Sequence, residues 1–266
     1  MFKTRLLSGI VLVAVALALI ITGGPVLLVG TLFISLIGLF EFYRVFQIHN
    51  RLLGYVGYVA CALYYGAISY LPQGLLIPIL VGALIVILAV YVFCYPKYET
   101  KEFMASYFGI YYVGVMLSYI YQTRMMEGKG AYLVWLIFLC SWGCDTCAYC
   151  VGVLFGKHKM APVLSPKKSI EGAIGGIVGS ALLTLLYTYI FRSQIGIDTR
   201  EMVILSLGAC LGAFISMIGD LAASAIKRNN NIKDYGKLIP GHGGILDRFD
   251  SVIITAPIIF YLGGFI

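Results

Sequence analysis

Nine apolar runs, each about the length of a membrane-spanning helix, occupy most of the sequence. The hydrocarbon core of a bilayer is about 30 Å thick, so a helix needs roughly 20 apolar residues to cross it. The runs are continuous and do not alternate, which argues against a membrane β-barrel. The sequence therefore predicts an all-α, polytopic membrane protein with about nine transmembrane helices. The runs lie at 6–22, 25–43, 52–71, 75–95, 103–123, 131–155, 171–191, 202–226 and 249–266.

The composition excludes the soluble classes of protein. Hydrophobic residues make up 61% of the chain and charged residues 12%, whereas soluble domains have about 45–50% apolar and about 25% charged residues. A disordered chain requires low hydrophobicity and high charge, so disorder is excluded too. The net charge of +7 would indicate nucleic-acid binding in a soluble protein, but basic cytoplasmic loops account for it here. We expect membrane lipid, and no nucleic acid, as a partner.

The basic residues also predict the orientation of the chain. If the N-terminus is cytoplasmic, 15 of the 19 Lys and Arg residues fall in inside segments, as the positive-inside rule requires. Nine spans then leave the C-terminus outside. The first run lacks a small-residue cleavage site before Gly23, so we interpret it as a retained helix and not a cleaved signal. The compact length suggests a multi-pass protein of a bacterial plasma membrane.

Polar residues are concentrated in the C-terminal half of the chain, on the predicted cytoplasmic side. We interpret residues 1–130 as five scaffold helices and residues 131–266 as four catalytic membrane helices with cytoplasmic loops at 156–170 and 227–248. These two loops are longer, more basic and richer in glycine than the other inside loops. Together with the adjoining spans they carry Asp145, Asp220, His242, Asp247 and Asp250.

Two aspartates, Asp145 and Asp220, lie within apolar runs or at their inner ends. An ionised carboxylate at the bilayer centre costs roughly 3 kcal/mol or more, so such residues usually mark an ion path, a metal site or a substrate pocket. The alternative is a side chain that reaches the interface or pairs with a nearby lysine. A functional role is the favoured interpretation of both.

The eighth run carries a polar stripe toward its predicted cytoplasmic end. Asp220, Ser224, Lys227 and Arg228 are spaced i, i+4, i+7 and i+8, which places them on one helical face. A carboxylate followed by two cations suits a divalent metal beside anionic phosphates. The alternative is a juxtamembrane pair of cations that binds lipid head groups.

The loop before the last run is rich in turns and glycine, and two carboxylates follow it. Its segment 239–244 reads I-P-G-H-G-G, which lets backbone N–H groups approach an oxyanion but does not match the Walker pattern of a P-loop. Asp247 and Asp250 are spaced i, i+3 and share a helix face. Such a pair favours a cation, and Mg²⁺ binds through a few carboxylates, water and substrate phosphates. The alternative is compensation of the helix dipole by acids in a first turn.

A third polar segment precedes the seventh run. Residues 165–172 read S-P-K-K-S-I-E-G. Ser169 is placed to cap the following helix, with Glu171 in its first turn. Lys167 and Lys168 are either ordinary positive-inside charges or point charges that bind polyphosphate, and their spacing does not decide between the two.

Four cysteines follow the pattern C-x3-C-x2-C-x2-C, at Cys140, Cys144, Cys147 and Cys150. Three cysteines at such a spacing can bind an iron–sulfur cluster when they sit on a loop. Here they lie on an apolar helix, where cysteine packs as a small hydrophobe. We therefore expect packing and no cluster.

The segment from Ser224 to Asp250 resembles the signature of the CDP-diacylglycerol synthases, also called phosphatidate cytidylyltransferases. Two upstream motifs of that family have counterparts in the same order, at residues 145–157 and 165–172. The first half of the chain matches only as a hydrophobic array of suitable length. The signature positions are Ser224, Lys227, Arg228, Lys233, Asp234, Gly236, Pro240, His242, Gly243, Gly244, Asp247, Arg248 and Asp250.

The resemblance implies an enzyme that makes CDP-diacylglycerol and pyrophosphate from CTP and phosphatidic acid, depends on Mg²⁺, and forms a homodimer. It implies Asp220 and Asp247 as metal ligands, with a second cation left open. We assign the catalytic roles to these two residues together with Lys227 and Ser224. The residues assigned to the phosphates of CTP or phosphatidate are Ser224, Lys227, Arg228, Lys233, Lys167, Lys168, His242, Gly243, Gly244 and Arg248, with Asp145, Asp234 and Asp250 in support.

Two other classes of function are compatible with the same residues. Intramembrane Asp145 and Asp220 also suit a transporter or flippase for a phosphorylated lipid or an ion, since transporters bind near the bilayer midplane. The clustering of the polar motifs on one side, without an inverted pair of broken helices, argues against it. A kinase-like transferase acting on another lipid would use the same metal chemistry.

Overall fold

Long helices account for most of the chain in the computed structural model, which describes residues 2–72 and 75–266. A hairpin of two short strands, β1 (Lys159–Ala161) and β2 (Ser165–Ser169), lies between two of the helices. The helices are α1 Phe2–Thr22, α2 Gly24–Val45, α3 Leu52–Tyr70, α4 Leu76–Phe93, α5 Thr100–Arg124, α6 Gly130–Phe155, α7 Ile170–Ile190, α8 Arg192–Ile195, α9 Thr199–Asn229 and α10 Leu246–Phe265.

Eight helices in the described part of the chain are long and apolar enough to cross a membrane, namely α2 to α7, α9 and α10. The apolar part of α1, Leu7–Thr22, is shorter than these eight. The predicted all-α, polytopic membrane architecture is therefore confirmed. The ninth span and the orientation of the termini stay predictions.

The segment 156–170, predicted as a loop, contains the antiparallel hairpin β1–β2, in which Lys159 pairs with Ser169 and Ala161 with Ser165. The sequence did not indicate these strands because Lys and Pro are depleted in strands. The Ser169 hydroxyl accepts a hydrogen bond from the amide of Gly172 at 3.1 Å, so the predicted cap of α7 is confirmed. The hairpin thus fixes where α7 begins.

Two spanning helices contain a π-helical turn, at Ile110–Val115 in α5 and at Leu139–Gly143 in α6. Such turns insert an extra residue into a helix and occur frequently at functional sites. The turn in α6 ends directly before Cys144 and Asp145. It therefore shifts the helical face on which the Asp145 side chain emerges.

The first of two compact units comprises Met1–Tyr121 and Asp234–Arg248. In its core, Tyr43 of α2 donates a hydrogen bond to the carbonyl of Ser106 at 2.6 Å, and the Ser106 hydroxyl donates to the carbonyl of Leu53 at 2.8 Å. Buried polar groups require such partners, so these bonds tie α2, α3 and α5 together. An apolar cluster beside them consists of Leu53, Ala60, Ala83, Ile87, Tyr98 and Ile110.

The second unit comprises Gln122–Lys233 and Phe249–Ile266. In it α7 packs closely against α6 and α9 at a glycine. A Cβ atom on Gly176 would lie 2.8 Å from Met217 Cε and 2.9 Å from Ala148 Cβ. Small residues let helix backbones approach each other in membranes, so a side chain at this position would separate the helices.

Candidate active-site residues

Lys168, at the end of the hairpin, forms an ion pair with Asp220 of α9 in the second unit. The two side chains are 28% and 21% exposed, so water screens their attraction only in part. The neighbouring Lys167 is exposed. Of the two lysines that the sequence left undecided, Lys168 is therefore the one that the fold engages with a candidate site residue.

Two further aspartates of this unit interact electrostatically with Lys168, namely Asp145 of α6 and Asp250 of α10. The Ser251 hydroxyl donates a hydrogen bond to Asp145 Oδ2 at 3.3 Å, and the Ser251 amide donates to Asp250 Oδ1 at 2.9 Å. Asp250 is buried. Ser251 thus links two of the three aspartates that interact with one lysine.

Burial lowers the pKa of Lys168 from its usual value, because removal from water disfavours the charged ammonium. The carboxylates of Asp145 and Asp250 act on that pKa in the opposite direction. The charged state of Lys168 therefore depends on the aspartates around it.

The polar stripe of α9 lies on one continuous helix, as predicted, since α9 extends to Asn229 and includes Lys227 and Arg228 in its last turn. Lys227 is buried, whereas Arg228 is exposed and donates a hydrogen bond to the carbonyl of Ile232 at 3.3 Å. Cations in a last turn are stabilised by the helix dipole. Their predicted role at substrate phosphates stays a prediction.

Asp247, in the first turn of α10, is buried and accepts hydrogen bonds from three backbone amides of the first unit. The amides of Tyr235, Gly236 and Gly244 lie 2.8, 3.4 and 3.0 Å from Asp247 Oδ2. This carboxylate therefore holds the two ends of the segment 235–244 together. Its position also matches the helix-dipole interpretation, and its role as a metal ligand stays a proposal.

The glycine-rich segment forms a tight turn. The amide of Ile239 donates to the carbonyl of Gly243 at 2.8 Å, and the amide of His242 donates to the carbonyl of Ile239 at 2.9 Å. Gly241 and Gly243 have φ angles of 79° and 86°, in the region that residues with a side chain rarely adopt. The ring of His242 is held from α1, because Ser8 Oγ lies 2.9 Å from His242 Nδ1.

Two residues of α2 that belong to none of the sequence motifs hold the same segment. The buried carboxylate of Glu41 accepts hydrogen bonds from the amides of Ile245 at 3.1 Å and Leu246 at 2.8 Å. Arg44 Nη2 donates to the carbonyl of Tyr235 at 2.5 Å. Glu41 is the one charged residue of the run 25–43, and this intramembrane acid was the signal that should have identified it.

The four clustered cysteines belong to α6 and differ in burial. Cys140 and Cys144 are buried, and Cys150 is exposed. A Cβ atom on Gly179 of α7 would lie 2.7 Å from Cys147 Cβ, and one on Gly212 of α9 would lie 4.0 Å from Cys140 Cβ. These contacts agree with a packing role.

Carboxylate oxygens are the donors that Mg²⁺ prefers. Within residues 2–72 and 75–266 no three His, Cys, Asp or Glu side chains gather closely enough to hold a metal ion. Mg²⁺ typically takes one or two carboxylates, water and substrate phosphates. Asp220 and Asp247 offer oxygen donors of this kind.

Comparison with known proteins gives one consistent family. The chain matches the model of the cytidylyltransferase family over residues 3–266. It is 33% identical to a phosphatidate cytidylyltransferase of Staphylococcus aureus (strain COL) and 32% identical to one of Staphylococcus haemolyticus (strain JCSC1435), over 97% of each chain. A third relative with that name, from Staphylococcus saprophyticus, is 31% identical over the same share. The chain therefore belongs to the phosphatidate cytidylyltransferases, within the cytidylyltransferase family.

Proposed function

We propose that the protein is an integral-membrane nucleotidyltransferase that converts CTP and phosphatidic acid into CDP-diacylglycerol and pyrophosphate, a step of phospholipid biosynthesis. The observation that carries the proposal is the complete set of signature residues between Ser224 and Asp250, in a chain that matches the family from residue 3 to residue 266. The spanning helices provide access to a lipid substrate.

The reaction explains why the signature combines cations with carboxylates. A phosphomonoester oxygen of phosphatidate bonds to the α-phosphorus of CTP, and the bond from that phosphorus to the bridging oxygen of the β-phosphate breaks. Both substrates are anionic, so positive groups must offset their repulsion and neutralise the departing pyrophosphate. Phosphatidate is ionised near neutral pH, so no general base is required. His242 is therefore assigned an orienting role.

The basic residues supply that positive charge. We place Lys227, Arg228 and Lys233 at the phosphates, together with the Ser224 hydroxyl as a donor. Arg248 and the amides of Gly243 and Gly244 are further candidates for phosphate contacts. Lys167 and Lys168 are assigned to CTP. Asp145, Asp234 and Asp250 are assigned supporting roles.

Asp220 and Asp247 are the proposed Mg²⁺ ligands, on the strength of the signature and of their oxygen donors. Bound Mg²⁺ would stabilise the charge that develops on the phosphoryl oxygens. Asp247 also keeps the backbone at residues 235–244 in place through its three amide bonds. A homodimer in a bacterial plasma membrane, with the site open to the cytoplasm, completes the proposal.

The direct test supplies purified protein in detergent micelles with CTP labelled at the α-phosphorus, phosphatidic acid and Mg²⁺. We expect label in the lipid product and equimolar pyrophosphate. Label that stays in CTP while phosphatidate crosses a vesicle membrane would support a flippase instead. Phosphate transfer without the cytidylyl group would support a kinase-like enzyme. Either result overturns the proposal.

Variants of the two aspartates test the assigned roles. Asp220→Asn and Asp247→Asn should each lower turnover about a thousandfold, or roughly 4 kcal/mol of transition-state stabilisation. Since members of one functional unit are not additive, the double variant should be little worse than either single one. Asp198→Asn is the matched control, because Asp198 caps the opposite end of α9 and asparagine caps equally well. Near-normal turnover of either site variant contradicts the assignment.

A further inference from the structure

The last turns of α2 hold the chain that leads into α10 at two points. Glu41 accepts the amides of Ile245 and Leu246, and Arg44 donates to the carbonyl of Tyr235. The two α2 residues are spaced i, i+3 and therefore share one face of the helix. One turn of α2 thus contacts both the beginning and the end of the segment 235–246.

The site around Glu41 is closely built. Glu41 is 3% exposed, and a buried carboxylate is costly unless hydrogen bonds satisfy it. Its partners are amides at the start of α10, where the helix dipole also favours negative charge. A Cβ atom on Gly236 would lie 2.6 Å from Glu41 Cδ, and one on Gly244 would lie 2.5 Å from it. The carboxylate therefore fills the space that side chains at both glycines would need.

The backbone amides of this segment donate hydrogen bonds to two buried carboxylates, those of Glu41 and Asp247. Asp247 takes the amides of Tyr235, Gly236 and Gly244, and Glu41 takes the amides of the two residues directly before Asp247. The direction of the Asp247 side chain follows from the backbone at Leu246. Glu41 therefore acts on Asp247 through one peptide unit.

We propose that Glu41 is a positioning residue for the cytidylyl-transfer reaction. It fixes the start of α10 and the segment 235–244, and thereby the direction in which Asp247 presents its carboxylate. Arg44 secures the other end of the same segment. The inference rests on the proposed function, because it gives Asp247 a substrate-side role. A carboxylate that only stabilises the fold is the alternative.

The test compares two buried glutamates of the same unit, each of which accepts a backbone amide. Glu102 is buried, accepts the amide of Glu99 at 2.8 Å and pairs with Arg51 at 2.6 Å. Glu102→Gln is therefore a control for the loss of a buried charge. Glu41→Gln keeps the shape of the side chain. Its NH₂ group, however, replaces one acceptor oxygen and therefore faces one of the two backbone N–H donors without a hydrogen bond. Both variants are made in the full chain and purified in micelles.

Four quantities are measured on each variant: the melting temperature, kcat, KM for CTP, and peptide-level hydrogen exchange. For Glu41→Gln we expect a kcat at least about tenfold lower, a KM changed less than about threefold, and faster exchange across residues 234–248. For Glu102→Gln we expect a similar change in melting temperature, with kcat and exchange at residues 234–248 near wild type. Equal kcat losses in the two variants, or unchanged exchange in Glu41→Gln, overturn the proposal.

A second variant covers the case in which Glu41→Gln does not fold. Arg44→Met removes the hydrogen bond to the carbonyl of Tyr235 and leaves the Glu41 carboxylate with its two amide donors. It should speed exchange at residues 234–237 and lower kcat a few fold, and no change in either quantity also overturns the proposal. If the wild-type protein transfers no cytidylyl group, the proposed function fails, whereas the exchange comparison still decides whether Glu41 holds residues 234–248.

Discussion

The ion pair between Lys168 and Asp220 provides a sharp test of how charge is balanced in the second unit. Lys168→Met removes the ammonium and keeps a side chain of similar length. Asp220 then has no cationic partner at this position, and the carboxylates of Asp145 and Asp250 lose a charge with which they interact. The matched control is Lys167→Met, because Lys167 is the adjacent lysine and is exposed.

The expected loss of unfolding free energy lies between the values for surface ion pairs and for buried ion pairs. Exposed pairs contribute about 0.2–1 kcal/mol, and removal of one partner of a buried pair costs about 3–5 kcal/mol. Lys168 and Asp220 are 28% and 21% exposed, and the burial that lowers the pKa of Lys168 offsets part of the gain. We therefore expect a loss of about 2 kcal/mol of unfolding free energy, or roughly 4–8 °C in melting temperature.

A double-mutant cycle isolates the pair from the packing of the lysine stem. Thermal unfolding in micelles is followed by tryptophan fluorescence for Lys168→Met, Asp220→Asn, the double variant and the Lys167→Met control. Because Asp220→Asn removes the carboxylate that Lys168→Met leaves unpaired, the double variant should be more stable than the sum of the single losses predicts, by about 1–3 kcal/mol. Additive losses, or an equal loss in Lys167→Met, would refute the reasoning.

Three further outcomes are expected. Single cysteines placed in the loops 156–170 and 227–248, in a cysteine-free background, should resist impermeant thiol reagents applied to intact cells, and labelling of both loops would contradict the predicted topology. Gly244→Ala should lower melting temperature and turnover, since overpacking costs about 1–3 kcal/mol, while Gly264→Ala, with no atom within 4 Å of the new methyl group, should change neither. Most activity should survive simultaneous replacement by alanine of four cysteines, and stoichiometric iron in the purified wild type would refute the packing role. Those four are Cys140, Cys144, Cys147 and Cys150.

The sequence predicted those features that depend on local pattern. The apolar runs gave the spanning helices, because about 20 apolar residues are a strong local signal. The spacing of Asp220 and Lys227 indicated one helix, and α9 contains both. Ser169 was predicted as a cap from its place before an apolar run, and its hydroxyl accepts the expected amide.

The sequence could not predict contacts between residues far apart along the chain. Glu41 and Leu246 are about 200 positions apart, and no periodicity in either segment refers to the other. Lys168 and Lys167 are equivalent by spacing, and the ion pair of Lys168 with the distant Asp220 distinguishes them in the fold. The π-helical turn before Asp145 was equally hidden, because it changes the geometry of α6 without changing its apolar character.

The length of α9 determines how deep Asp220 lies in the bilayer. The 18 residues 202–219 between Glu201 and Asp220 contain no charged residue, and at 1.5 Å per residue they extend about 27 Å. That length nearly equals the hydrocarbon thickness of about 30 Å. If Glu201 lies at one boundary of the hydrocarbon, Asp220 lies near the other, next to the headgroup region, and avoids the cost of the bilayer centre. The remaining turns to Asn229 add about 13 Å and would carry Lys227 and Arg228 beyond the acyl chains, where the proposed reaction needs cations beside a water-soluble nucleotide.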